Sequence, residues 1–246
     1  VEVSLDQSFY ALTEIKIEKL EEDILSGIPF DYLRGKSDFY ESVFFVNENV
    51  LIPRPETELL VDMIVQNHSN KDLLVADIGT GTGCIGLSLL AKNTTWKGTL
   101  VDISPEALEV AQINSQNLRL TDRCALILSD RFQKVPATFR FDLIVSNPPY
   151  IKESTHRYLV HQSVNSFEPH LALYLKDEEY NDWFEDFFKE VYSYLRADGF
   201  FYMEGHELEL GHQKDQLEKL GFVEVEVIQD LTRRDRFLKA KKKGPS

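Results

Sequence analysis

The sequence has little cysteine, no long apolar run and no surplus of basic charge, and each shortage closes off a class of function. Only Cys84 and Cys124 occur in 246 residues. They lie far apart in apolar surroundings, which suits free thiols in a reducing compartment and excludes a disulfide framework or a thiolate metal pair. No apolar stretch approaches the roughly 20 residues that span a bilayer, and the start Val1-Glu2-Val3-Ser4 carries no basic-plus-apolar signal. A soluble, cytoplasmic protein with no membrane partner is expected. Lys and Arg number 27 against 41 Asp and Glu, a net charge of −14. Such a field repels nucleic-acid phosphates, so direct nucleic-acid binding is not expected. No His, Cys and acidic cluster has metal-ligand spacing, no Ser-His-Asp order stands out, and no repeat appears. The one basic concentration, Arg233, Arg234, Arg236, Lys239, Lys241, Lys242 and Lys243, reads as a solvated end.

What is present is a hydrophobic fraction of 43%, enough to pack one sizeable α/β domain with a small appendage. Residues Phe9–Leu25 have helical spacing of Leu and Ile, stopped by Gly27 and Pro29. Asp38–Tyr40 and Val43–Val46 read as a hairpin. The prolines of Leu51-Ile52-Pro53-Arg54-Pro55-Glu56-Thr57-Glu58 force an extended entry, with Thr57 a candidate helix cap. From Leu73 strand and helix alternate. Strands are expected at Leu73–Ile78, Gly98–Asp102, Ala125–Leu128, Phe141–Ser146 and Gly199–Glu204. Helices are expected at Cys84–Ala91, Pro105–Asn117 with Ser104 as cap, Tyr180–Leu195 and Leu208–Leu220. Two final strands, Phe222–Ile228 and Arg236–Lys239, have no helix between them. The pattern predicts a mostly parallel, Rossmann-like sheet covered on both faces and closed by an antiparallel C-terminal strand.

Between the first of these strands and its helix lies Asp77-Ile78-Gly79-Thr80-Gly81-Thr82-Gly83. Glycines there permit tight turns and close approach of a ligand to the helix N-terminus. Asp102 ends the next strand, 21 positions after Gly81, where an acid can accept from both ribose hydroxyls of an adenine nucleoside. A dinucleotide fold uses the same arrangement, but its third glycine stands three positions after the second, whereas Gly83 follows Gly81 by two. Asp77 can neutralise the ammonium of an amino-acid-bearing nucleoside such as S-adenosylmethionine. Asp130 stands where a carboxylate accepts from an adenine amino group, or caps a turn.

A second loop, Asn147-Pro148-Pro149-Tyr150, ends the Phe141–Ser146 strand. Consecutive prolines stop a strand without supplying donors. They leave a stiff loop with the Asn147 side chain, acceptor carbonyls and an aromatic face, which suits a planar NH2 group. Asn147 and Pro148 are the expected acceptors, with Tyr150 packed over the flat group. Arg54 and Glu56 either contact substrate or form an ion pair bracing the N-terminal piece. Glu204 reads as a structural hydrogen-bond acceptor, and His206 as a turn residue.

These motifs resemble the peptide chain release factor N5-glutamine methyltransferases (PrmC/HemK). The similarity runs from about Gly27 to Lys239 and includes Pro29–Gly35, Phe167-Glu168-Pro169 and Glu204-Gly205-His206. The Ile-Pro-Arg-Pro-Glu-Thr-Glu stretch is its discriminating part, since Asn-Pro-Pro-Tyr also occurs in amino methyltransferases of DNA, RNA and ribosomal protein. The resemblance implies a class I S-adenosylmethionine-dependent methyltransferase fold. It implies methyl transfer to the glutamine of the release-factor Gly-Gly-Gln motif, with S-adenosylhomocysteine as product. Gly79, Thr80, Gly81, Thr82, Gly83 and Asp102 would bind the cofactor, with Asn147 near its methionine part, and Asn147–Tyr150 would hold the glutamine. Residues 1–56 would be an abbreviated N-terminal helix and hairpin linker, and 57–246 the catalytic domain. The alternatives from the residues are an amino methyltransferase of a nucleic-acid base, one of a ribosomal-protein glutamine, or an inactive cofactor-binding adaptor.

Overall fold

A short helix, Phe30–Arg34, leads into strands β1 (Lys36–Phe39) and β2 (Ser42–Phe45), which pair antiparallel, with alternate residues of β1 buried. The structure is a computed structural model that describes residues 19, 22–68 and 72–244. Of the helix expected over Phe9–Leu25, residues up to 18 and residues 20–21 lie outside the described residues. The hairpin inserts Phe39 and Phe44 into the same apolar cluster as Leu60, Val61 and Ile64 of the Pro55–His68 helix. Asn114 ties it further: the Phe45 N–H donates to Asn114 Oδ1 (2.6 Å), and Asn114 Nδ2 donates to the carbonyls of Phe45 and Thr82.

Thr57 is not the cap of its helix. Pro55 occupies the first turn, where its fixed φ and missing N–H cost nothing, and the buried Thr57 hydroxyl donates elsewhere, to Glu204. Ser104 does cap, accepting from the Ala107 N–H at 3.1 Å.

The main sheet follows as β3 (Leu74–Ile78), β4 (Lys97–Asp102), β5 (Cys124–Leu128) and β6 (Phe141–Ser146). A two-residue pair, β7 (Ile151–Lys152) and β8 (Tyr174–Leu175), stands apart from it. The sheet is completed by β9 (Leu195–Glu204), β10 (Phe222–Gln229) and β11 (Asp235–Lys242). Among the described residues it has seven strands in the order β10-β11-β9-β6-β3-β4-β5. β11 alone runs against the direction of the other six, as a strand reached without a crossover helix must. This is the class I methyltransferase arrangement expected from the sequence.

Helices cover both faces. On one, Phe184, Phe187, Phe188 and Val191 form an i, i+3, i+4, i+7 stripe of the Tyr180–Tyr194 helix and pack with Phe201 and Met203 of β9. Each fully buried Phe contributes about 1.5–3 kcal/mol over its exposed state. On the other face the Pro55–His68 and Cys84–Lys92 helices cover Val75, Leu100 and Leu143.

The basic C-terminal run is not a solvated end. Phe237, Leu238 and Ala240 are buried, so the run is held as an interior strand. Lys239 and Lys241 pair with Glu226 and Glu224 of β10, and Arg236 pairs with Asp230. Lys242 donates to the carbonyls of Tyr192 and Leu195. The acidic alternation of Phe222–Gln229 supplies the partners.

Candidate active site at the edge of the sheet

The chain leaves β3 toward β4 on one side and reaches β6 on the other, so the C-terminal edge opens at a topological switch point. Two loops start there side by side. Ile78 of β3 faces Ser146 of β6 in register, and the Ser146 hydroxyl donates to the Ile78 carbonyl at 2.6 Å. The glycine loop therefore begins against Asn147: a Cβ on Gly79 would lie 4.0 Å from the Asn147 carbonyl oxygen.

The glycine loop uses most of its own donors. The N–H groups of Gly79 and Thr80 both donate to Val101 O, that of Gly83 to Thr80 O, and that of Gly81 to Asp102 Oδ2 at 2.8 Å. A pyrophosphate needs such donors free. What the loop offers instead is carbonyl oxygens and the Asp102 carboxylate, groups that suit hydroxyls and an ammonium. At Gly81, φ is +54° and a Cβ would meet nothing within 4 Å, so the space above the loop is open to a ligand. Gly83 serves packing: φ is +81°, and a Cβ would come 2.8 Å from Leu87 Cδ1.

Asp102 is buried and accepts from Gly81 N and Ser104 N on opposite oxygens, leaving lone pairs on both. Burial pushes its carboxyl above the usual range, against those hydrogen bonds. Asp77 lies beneath the loop. It is 1% exposed, accepts from the Thr80 hydroxyl (2.6 Å) and Gly86 N (3.0 Å) on Oδ2, and has no hydrogen-bond partner at Oδ1 among the described residues. Burial raises it to about 6.

One cavity gathers Gly79, Thr80, Gly81, Thr82, Asp102, Asp130, Asn147, Pro148, Pro149 and Arg54. Asp77, Gly83, Glu56 and Tyr150 are not among its lining residues. Asp130 is half-buried and accepts from Gln133 Nε2. The extended segment Asn49–Arg54 forms another wall. It is pinned by the buried Glu168, which accepts from Ile52 N (3.1 Å) and the Arg54 guanidinium (2.6 Å). The ion pair expected at Arg54 thus exists, with Glu168 as partner, while Glu56 is exposed in the first turn of its helix.

Sequence reasoning missed the apolar walls, Ile103, Leu171 and Trp183. Ile103 is 48% exposed directly after Asp102, a signal visible in the Asp-Ile-Ser turn. Trp183 lies on the solvent-side shoulder of its aromatic helix, with the Arg131 guanidinium 5.4 Å from its ring centroid. Phe132 is 1% exposed and stacks on Tyr194, so it belongs to the core.

Tyr150 turns away from this cavity. Its hydroxyl donates to Glu204 Oε1 at 3.1 Å, and its carbonyl accepts from the Tyr180 hydroxyl. Burial and the Glu204 charge push the phenol far above its ordinary range. Glu204, 1% exposed, accepts from Thr57 as well, at 2.6 Å. One buried carboxylate therefore joins the acceptor loop to the helix that follows Arg54. The Glu204 reading as a structural acceptor fits this geometry. The packing of the Tyr150 ring over a flat substrate group does not, because the buried hydroxyl bond to Glu204 directs it elsewhere.

Two outcomes follow from these buried acids. The folded pKa of Asp77 lies above the unfolded value, so its stabilising contribution is lost as pH rises through about 6. Relative to the parent, Asp77→Asn gains about 1 kcal/mol between pH 5 and pH 7.5 in denaturant titrations; a pH-independent difference contradicts a raised carboxyl. Tyr150→Phe removes a donor to a buried acid and lowers unfolding stability by about 1–2 kcal/mol. An unchanged denaturation midpoint contradicts the clamp.

Comparison with known proteins agrees with this geometry. The family model described as Methyltransferase small domain matches residues 55–204. A release factor glutamine methyltransferase from Leptospira interrogans is 42% identical over 179 residues, covering 72% of this chain and 62% of the relative. One from Shewanella oneidensis is 35% identical over 218 residues, covering 89% and 74%. The chain thus spans 62% and 74% of these relatives' length, so each relative is longer than the stretch matched here. A ribosomal protein L11 methylase from Lactobacillus delbrueckii subsp. bulgaricus shares the fold, with a TM-score of 0.55, 21% identity and coverage of 77% and 80%. With a matched family model over most of the sheet and a relative of this identity largely covered, the chain belongs to the release factor glutamine methyltransferase family.

Proposed function

We propose that this chain transfers the methyl group of S-adenosylmethionine to the N5 side-chain amide of the glutamine in the Gly-Gly-Gln motif of peptide chain release factors. The observation that carries the reading is the seam at Ile78 and Ser146, which sets a donor-poor glycine loop against a proline-locked acceptor loop over one cavity.

The residues fit the cofactor by chemistry. Asp102 would accept from the ribose hydroxyls, Asp130 from the adenine amino group, and the carbonyls of Gly79–Thr82 from the ammonium. Asp77 acts through Thr80, holding the loop. S-adenosylmethionine, when bound, would supply an electrophilic methyl; the amide nitrogen would gain it and lose a proton to water, with S-adenosylhomocysteine, which retains the bonding pair on sulfur, as product.

The task of the protein is orientation, because an amide lone pair is delocalised and a poor nucleophile. The Asn147 side-chain oxygen and the Pro148 carbonyl each accept one amide hydrogen, which aims the nitrogen at the cavity. The prolines prevent those acceptors from relaxing. Tyr150 contributes by anchoring the loop on Glu204. Arg54, held by Glu168, borders the substrate side; Glu56, at the exposed start of its helix, borders the protein partner. In this reading residues 57–246 are the catalytic unit and 1–56 its N-terminal linker, with the cavity taking walls from both. The partner is the release factor, and the acidic field disfavours nucleic acid.

The test is methyl transfer from labelled cofactor to purified release factor, to the same factor with its Gly-Gly-Gln glutamine substituted, to ribosomal protein, and to DNA and RNA. Label on the intact factor alone is expected. Label that survives the glutamine substitution, or that appears on the nucleic acids or the ribosomal protein instead, overturns the reading.

A further inference from the structure

Beyond Tyr150 lies a second cavity of about 290 Å³, lined among others by Tyr150, His156, Leu159, His206, Glu207 and Arg234. It shares the acceptor loop with the first cavity but is built from different segments: the stretch after β7, the turn after β9, and the β10–β11 turn. His156 and His206 stack with centroids 4.2 Å apart and planes at 12°. The Leu208 N–H donates to His206 Nδ1, which leaves the proton of the neutral ring on Nε2. Burial and the neighbouring His156 lower the pKa of His206, favouring that neutral form.

Two groups at this cavity lack ion-pair partners among the described residues: the exposed guanidinium of Arg234 and the exposed carboxylate of Glu207. Arg236, beside them, is engaged by Asp230. A free donor and a free acceptor on one cavity match the C=O and N–H of a polypeptide main chain. A polyanion would meet Glu207 and the net charge of −14. The same three segments also carry large apolar side chains in solvent: Tyr158 (80% exposed), Leu159 (53%), Leu208 (67%) and Leu231 (87%). Leu159 lines the cavity itself, and exposed apolar groups on the segments that build a polar cavity mark a protein-binding surface.

We propose that this cavity is the subsite for the main chain flanking the acceptor glutamine, so that an extended segment of the protein substrate lies across Tyr150 with the glutamine in the first cavity. Arg234 and Glu207 fix its peptide groups, and Leu159 and Leu208 grip its side chains. The inference rests on the function proposed above.

Arg234→Ala and Leu159→Ser change exposed positions and leave the fold intact. Each is expected to raise KM for purified release factor about tenfold, with kcat and the calorimetric Kd for S-adenosylmethionine within twofold of the parent. An unchanged KM, or a parallel loss of cofactor affinity, overturns the subsite. A second arm does not depend on methylation: Leu159→Cys carrying a photo-crosslinker is irradiated with release factor and the adducts are mapped by mass spectrometry. Adducts confined to residues flanking the glutamine support the subsite, and absent or scattered adducts overturn it. Crosslinking by the Leu159→Cys variant beside a parent chain that transfers no methyl contradicts the proposed function and leaves the binding surface standing.

Discussion

The parallel register of β3 against β6 is the constraint on which the rest of the site depends. Val75 faces Leu143 and Ile78 faces Ser146, so the two central strands end at the same level and release their loops as neighbours. A slip of one residue would turn each of Val145 and Ser146 to the face opposite its own. The Ser146 hydroxyl would then lose the Ile78 carbonyl, and the prolines would hold Asn147 rigidly in the wrong place. The register is protected by burial on both faces, since Val75, Ala76, Leu143, Ile144 and Val145 are all nearly inaccessible.

Around that seam, four buried acids do the tying. Asp77 holds the glycine loop, Asp102 joins that loop to the next strand's turn, Glu168 pins the Ile52–Arg54 wall, and Glu204 joins Thr57 to Tyr150. Each loses hydration, a cost that only several hydrogen bonds can offset. Asp77 shows what incomplete compensation looks like: with one oxygen unpartnered, its carboxyl rises to about 6. Such acids give irregular loops a fixed geometry that apolar packing alone would leave loose. They also explain how a chain with a short apolar hairpin at one edge keeps its cavity wall in place, because Glu168 reaches the wall from 114 residues away in sequence.

Much of this was legible in the sequence where a local rule dictates the outcome. The β-α alternation, the closing antiparallel strand, the Ser104 cap and the proline-ended strand depend on neighbours a few residues away. The residues that went astray depend on distant partners. Thr57 looked like a cap because Ser, Thr and Asp usually are caps beside a proline, but Glu204 claimed its hydroxyl. Tyr150 looked like an aromatic lid because nothing local showed the buried acid waiting for it. The basic tail looked solvated because its counter-charges sit one strand earlier, at Glu224 and Glu226, and in the turn at Asp230. The glycine loop was legible as a tight strand-to-helix turn, yet only its packing separates Gly81, where a Cβ would meet nothing within 4 Å, from Gly83, which packs against Leu87.

The account makes orientation, and not acid-base strength, the source of catalysis, and Asn147 its centre. The most direct measurement is the single-turnover methyl-transfer rate of Asn147→Ala beside its calorimetric affinity for S-adenosylmethionine. Orientation predicts a rate lower by about 10² or more with cofactor affinity largely retained. Rate and affinity falling by the same factor would contradict it.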